Sequence, residues 1–161
     1  MRSAALAIPL LLLVCFLHTG TANGPCAMMT KAGCDGWYRY PNGRCISHIA
    51  EQKTWFEAKK QCKKLGGDLA TIVNSFELRH ARCLLLTIRS YDGPLWLGVR
   101  RCGSSIEDVD GFSSSQFPWA SGEPNADRRK TCASISRKRQ GRWEINSCSD
   151  RNYFICLRNM K

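Results

Sequence analysis

Histidine is nearly absent from this chain. Three occur in 161 residues, at positions 18, 48 and 80, and no two cysteines stand in a Cys-x-x-Cys spacing. Both facts speak against a zinc site. No serine or cysteine can be placed with His48 or His80 as a nucleophile and base, so nothing points to an enzyme. Glu123 and Glu144 could form a carboxylate pair of the glycosidase kind, but only their presence supports that. Acids are also few: 13 Asp and Glu stand against 24 Lys and Arg. Beyond residue 22 no apolar run is long enough for a transmembrane segment. Internal repeats and low-complexity stretches are absent as well.

What is present begins with a leader. Arg2 gives a positive start, Ala4 to Leu17 is an apolar run, and Gly20-Thr21-Ala22 offers small residues for cleavage. Residues 1–22 read as a secretory signal peptide. The chain that remains is secreted and extracellular, about 139 residues long, and suits one domain. Cys15 leaves with the leader. The other nine cysteines, in an oxidising compartment, read as disulfide staples. Nine is odd, so at least one is free or pairs with another chain. The formal net charge is +11, or +10 without Arg2. Secretion argues against nucleic acid, which leaves acidic glycans, anionic membranes and acidic protein surfaces as partners of such a charge. Solubility alone is the plainer explanation.

Residues 23–33 form a tail without periodicity that carries Cys26. In Cys34 to Cys45, aromatics flank Pro41-Asn42-Gly43, a hairpin signal that would set the two cysteines opposite each other. Thr54 to Leu65 reads as a helix: Thr54 with Glu57 makes a capping box, and Trp55, Ala58, Cys62 and Leu65 share one face. Lys59, Lys60, Lys63 and Lys64 take the other, solvated face. Asp68 to Val73 reads as a short strand. Ser75 is expected to cap a second helix over 76–86, with Phe76, Leu78 and Leu85 in the core. Pro94 to Val99 is a buried strand, and Gly98 within it suggests close backbone approach. From Arg100 to about Lys130 the chain is polar and irregular, a length that usually carries function. Thr131 to Ser136, Arg142 to Ile145 and Tyr153 to Cys156 read as closing strands.

Inside the irregular stretch lies Trp119-Ala-Ser-Gly-Glu-Pro-Asn125. It sets a carboxylate and an amide two residues apart around a proline. An X-Pro bond adopts cis at low cost and can aim both side-chain oxygens at one point. Converging oxygens suit a hard cation or a set of sugar hydroxyls. Ser-Gly-Glu-Pro-Asn is also ordinary turn composition.

Taken in order, several short motifs resemble the C-type lectin-like domain. They are the Cys34–Cys45 hairpin with Gly36-Trp-Tyr, Trp55-Phe-Glu-Ala-Lys-Lys-Gln-Cys62, Gly67-Asp-Leu-Ala-Thr-Ile72 and Trp96-Leu-Gly-Val99. The Glu-Pro-Asn stretch, Cys132, Gly141-Arg-Trp143, Cys148 and Tyr153-Phe-Ile-Cys156 complete the series. The resemblance runs over residues 34–161. It implies an α+β fold with two helices, two small antiparallel sheets and a long ligand-binding loop region. It also implies the pairs Cys34–Cys45, Cys62–Cys156 and Cys132–Cys148. Cys83 and Cys102 bracket the Trp-Leu-Gly-Val strand and are expected to pair with each other. Cys26 is then left unpaired, available for a disulfide-linked homodimer that would gain avidity.

In sugar-binding members of that family, Glu-Pro-Asn accompanies mannose-type ligands and both side chains bind calcium. The resemblance therefore implies carbohydrate contacts from Glu123, Asn125, Glu144 and Asn146, and a possible calcium held by Glu123, Asn125 and Glu144. Two departures weaken the metal. Lys130 stands where an acid is expected before Cys132, and Ile145 replaces an aspartate. A lysine has no acceptor and an isoleucine offers calcium nothing. Reg-type lectins, which this case resembles, keep Glu-Pro-Asn and bind saccharide without calcium. The expectation is a lectin for mannose-type or related glycans, used in innate recognition of microbial surfaces. The alternative is a cationic effector of the same fold that binds acidic glycans, membranes or proteins by charge, through clusters such as Arg128-Arg129-Lys130 and Arg137-Lys138-Arg139.

Overall fold

The structure is a computed structural model that describes residues 26–113 and 117–160. The leader expected over 1–22 lies outside the described residues. In chain order the elements are β1 (Tyr38–Tyr40), β2 (Arg44–Lys53), α1 (Trp55–Lys64), β3 (Gly67–Leu69) and α2 (Ser75–Thr87). After them come β4 (Leu95–Cys102), β5 (Ser105–Asp108), β6 (Cys132–Ile135), β7 (Trp143–Asn146) and β8 (Asn152–Asn159). Two antiparallel ladders form. One runs β1-β2-β8 with β3 on β8; the other runs β4-β6-β7 with β5 on β4. The expected two sheets are joined into one, because Leu95 and Trp96 of β4 pair in parallel with Tyr153 and Phe154 of β8.

The helices form where their caps permit. At α1 the Thr54 side chain accepts from the Glu57 N–H while Glu57 accepts from the Thr54 N–H, the reciprocal box read in the sequence. Trp55, Ala58 and Cys62 turn inward. At α2 the cap is Asn74, whose Oδ1 accepts from Glu77 N at 2.9 Å, and not Ser75. The buried face then runs Glu77, His80, Ala81, Leu84, Leu85. Phe76 lies beside that face and is 49% exposed, which corrects its placement in the core. Leu78 packs partly buried at its edge. The strand expected over 68–73 is shorter, since only Gly67–Leu69 pairs with β8. The polar stretch after Arg100 hides a hairpin, with β4 continuing to Cys102 and turning into β5.

Two clusters make the core. Ile46, Leu84, Leu97, Trp143 and Ile155 pack between α2 and the sheet. Trp55, Cys62, Trp96 and Phe154 pack beneath α1. Both tryptophans of the second cluster are satisfied, Trp55 Nε1 donating to Leu97 O at 2.7 Å and Trp96 Nε1 to Lys53 O at 2.9 Å. The suspected close approach at Gly98 is present: a Cβ there would meet Leu69 O at 2.5 Å.

Disulfides join Cys34–Cys45, Cys62–Cys156 and Cys132–Cys148, as the resemblance implies. The fourth differs. Cys83 pairs with Cys26, not with Cys102, at a Cα–Cα distance of 5.4 Å. The tail therefore folds back on α2, with Met29 packed against the core and Thr30 O accepting from Arg39 N. Nearness in sequence to a strand misled the pairing. Cys83 is buried on α2, whereas Cys102 ends β4 in the β5 hairpin beside α1. The free cysteine among the described residues is thus Cys102, and the dimer expected through Cys26 loses its thiol.

One buried ion pair ties β2 to α2. Glu77, 1% exposed, accepts from Arg44 Nη2 and from Val73 N. Tyr40 lies alongside with its hydroxyl buried and unpartnered, and burial pushes its pKa up. Glu77→Ala leaves the Arg44 guanidinium and the Val73 N–H without an acceptor. It is expected to cost about 3–5 kcal/mol in denaturant unfolding of the oxidised protein. Glu51→Ala, which removes a 55%-exposed acid paired with Lys53, is expected to change stability by under about 1 kcal/mol.

Candidate functional site

The Glu-Pro-Asn loop rests on an aromatic floor. Phe117 stacks on Trp143 at 4.9 Å between centroids, and Trp119 meets Trp143 edge-on at 5.6 Å. Backbone bonds lock that contact, from Trp143 N to Pro118 O and from Ala120 N to Trp143 O. β7 alternates, with Trp143 and Ile145 inward and Glu144 and Asn146 outward. The loop therefore enters beside Ile145.

The Glu123–Pro124 peptide is cis. Glu123 and Asn125 meet, Asn125 Nδ2 donating to both carboxylate oxygens at 3.1 Å. Glu123 Oε2 also accepts from Asn125 N at 3.0 Å and from Ile145 N at 3.1 Å. The second Asn125 amide hydrogen goes to Ile145 O at 3.3 Å, and Asn125 Oδ1 accepts from Asp127 N at 3.1 Å. The isoleucine that offers no side-chain ligand thus supplies both backbone partners of the pair. What the pair leaves open is acceptor capacity, chiefly at Glu123 Oε1 and at the second lone pair of Asn125 Oδ1.

The other two expected site residues are engaged elsewhere. Glu144 accepts from Arg139 Nε at 3.3 Å, and Asn146 Nδ2 donates to Ser134 Oγ at 2.8 Å. Arg101 was not anticipated. Its guanidinium donates to three loop carbonyls: Asn125 O at 2.7 Å, Asp127 O at 3.3 Å and Lys130 O at 3.4 Å. A forked donor suits this task as a lysine would not. The only hint in the sequence was a pair of arginines, Arg100 and Arg101, closing an apolar strand, where one side chain must face each way.

The donor set does not fit calcium. That ion takes six to eight oxygens. Here Glu123 is held by N–H groups, Glu144 by Arg139 and Asp127 by Arg129. Among the described residues no group of three or more His, Cys, Asp or Glu converges on one point.

A disulfide-stapled α+β scaffold that presents a cis-proline loop on a tryptophan floor defines a ligand-binding domain. The family model for the lectin C-type domain matches residues 51–158, and the chain belongs to that family. It is 30% identical over 130 residues to C-type mannose receptor 2 of Mus musculus. That match covers 78% of this chain and 8% of the receptor, so the chain spans a small part of that relative. It is 30% identical over 153 residues to one chain of the snaclec coagulation factor IX/factor X-binding protein of Gloydius halys, covering 90% of this chain and 92% of the relative. In fold it is similar to human lithostathine, with a TM-score of 0.69 at 19% identity over 75% of this chain and 95% of that one.

Asp127 reports on the loop. Hydrogen bonds from the Arg129 side chain and backbone, with the guanidinium's charge, hold its carboxyl at about 2, below the usual 3.8. A depressed acid keeps its contacts above the ordinary pKa and loses them as pH falls through the lowered one. The Asp127–Arg129 clasp is therefore expected to stay closed at pH 4 and open near pH 2. An NMR titration should put the Asp127 midpoint near 2 in the native protein and shift it part of the way back up toward the ordinary value in Arg129→Ala, where the backbone N–H of residue 129 still donates.

Proposed function

We propose that this is a secreted lectin that binds glycan hydroxyls at Glu123 and Asn125 without needing calcium, for innate recognition of microbial surfaces. The observation that carries the reading is the Glu123–Asn125 pair, fixed by the Ile145 backbone with acceptor oxygens to spare. Adjacent hydroxyls of a mannose-type ring would donate to Glu123 Oε1 and Asn125 Oδ1. Because the loop's own N–H groups already neutralise part of the carboxylate's demand, no metal is required to hold the two side chains together. The leader and four disulfides support secretion. A binding role and not an enzymatic one suits the family.

A second reading has its own support. The net charge of +11 favours a cationic domain that binds acidic surfaces, with the loop vestigial. The snaclec relative, whose name gives it coagulation factors as targets, keeps protein ligands in view.

Mannan and a sulfated polysaccharide, tested with calcium or EDTA at low and high salt, separate the readings. Mannan binding is expected to survive both EDTA and high salt, and to fall about tenfold or more in Glu123→Gln. Arg101→Lys is expected to weaken it severalfold, through loss of the forked hold on the loop. Collapse in EDTA would restore the metal. Binding confined to the sulfated polymer and lost in salt would replace the lectin with the cationic domain.

A further inference from the structure

A second cleft lies away from the Glu123 loop, between the start of α1 and the β4–β5 hairpin. Its volume is about 320 Å³, and Trp55, Phe56, Lys59, Arg100 and Cys102 line it. That size is at the lower end for small-molecule sites. Arg100 is its centre. The guanidinium carbon lies 5.4 Å from the Trp55 ring centre and 5.2 Å from that of Phe56. No carboxylate among the described residues comes within ion-pairing distance of it. Its Nε is buried without a hydrogen-bond partner, and Nη2 finds only Cys102 Sγ at 3.8 Å.

Glu107 and Asp108 share this wall, Glu107 directly across the strand pair from Arg100, but neither forms an ion pair with it. Glu107 accepts from Ser105 Oγ, and Asp108 Oδ1 accepts from Asp110 N and Phe112 N, both at 2.9 Å. Lys59 adds a second cation with little competition, since Asp68, 3.9 Å away, is held more closely by Lys63 at 2.8 Å. Phe56 is 56% exposed and presents a flat apolar face at the rim. An oriented guanidinium lacking an acceptor, a nearby ammonium and an open aromatic face together fit an anionic substituent on a sugar ring. The anion accepts from Arg100, and the ring's C–H face covers Phe56.

We propose that this cleft is a binding site for a sulfated sugar, with Arg100 and Lys59 on the sulfate and Phe56 against the ring. It does not rest on the Glu123 loop. Arg100 and Arg101 are neighbours on β4 that point to opposite sides, so one strand would serve two separate sites.

The test is calorimetric titration of the oxidised full chain with a sulfated trisaccharide, its unsulfated parent and inorganic sulfate. The sulfated trisaccharide is expected to bind, with affinity about tenfold or more weaker in Arg100→Gln and severalfold weaker in Lys59→Gln and Phe56→Ala. Glu123→Gln is expected to leave it unchanged, which separates this site from the mannan reading. Saturating trisaccharide should also slow alkylation of Cys102 in the native protein. Should Arg100→Gln fail to fold, Lys59→Gln and the thiol protection decide. The site is overturned by absent binding, by affinity that Lys59→Gln and Phe56→Ala leave intact, or by an unaltered alkylation rate. Inorganic sulfate that binds as tightly as the trisaccharide would overturn the sugar part.

Discussion

Nearly every part of this fold is tied to one strand. β8 pairs with β2 on one side and, along the other, with β3 near its end and β4 near its start. Cys156 within it is bonded to Cys62 of α1. The consequence is a fixed placement of β4 relative to α1, with Gly98 passing so close to Leu69 that no side chain fits. A disulfide links segments far apart in sequence and lowers the entropy of the unfolded chain. The short β4–β8 contact then lets two small ladders act as one platform. Both candidate sites hang from that platform, one on each side of the β4 terminus.

The Glu123 loop shows how the strand beneath a site can set its geometry. The Asn125 amide donates directly to the Glu123 carboxylate, and the Ile145 backbone fixes both, giving an N–H to Glu123 and a carbonyl to Asn125. Ile145, at a position where the resemblance leads one to expect an aspartate, offers no side-chain ligand. It seals the strand beneath the loop, since its side chain is 1% exposed. The loop beyond is held by Arg101, whose three acceptors span Asn125 to Lys130. Those bonds order the backbone of the basic Arg128-Arg129-Lys130 segment without using its side chains.

Local patterns in the sequence told most of the fold. The α1 capping box, the Pro-Asn-Gly hairpin, the buried Trp-Leu-Gly-Val strand and the Glu-Pro-Asn turn each have a short-range physical cause, so each could be read. The Cys26–Cys83 bond has none: it links an aperiodic tail to the buried face of a helix, and only the folded chain brings them together. Arg101 escaped notice for the same reason, because its acceptors are backbone carbonyls 24 or more residues away. At α2 the error was in the phase of the helix. A charged residue, Glu77, begins the inward face because Arg44 of β2 waits there, and hydrophobicity alone would have turned Phe76 inward instead.

The charge of the chain is distributed in a way its total conceals. In the two basic clusters near the loop, Arg129 is clasped by Asp127, Arg137 by Asp92 and Arg139 by Glu144. Such surface pairs are weak, and an anionic ligand could displace them. They nonetheless spend field that the sequence alone would assign to ligand attraction. Arg100 is the contrary case: its charge has no acid partner and is partly removed from water between two aromatic rings. A cation so placed is screened less by salt than one on an open surface. The cationic character of this domain is therefore better judged by which arginines lack partners than by how many arginines there are.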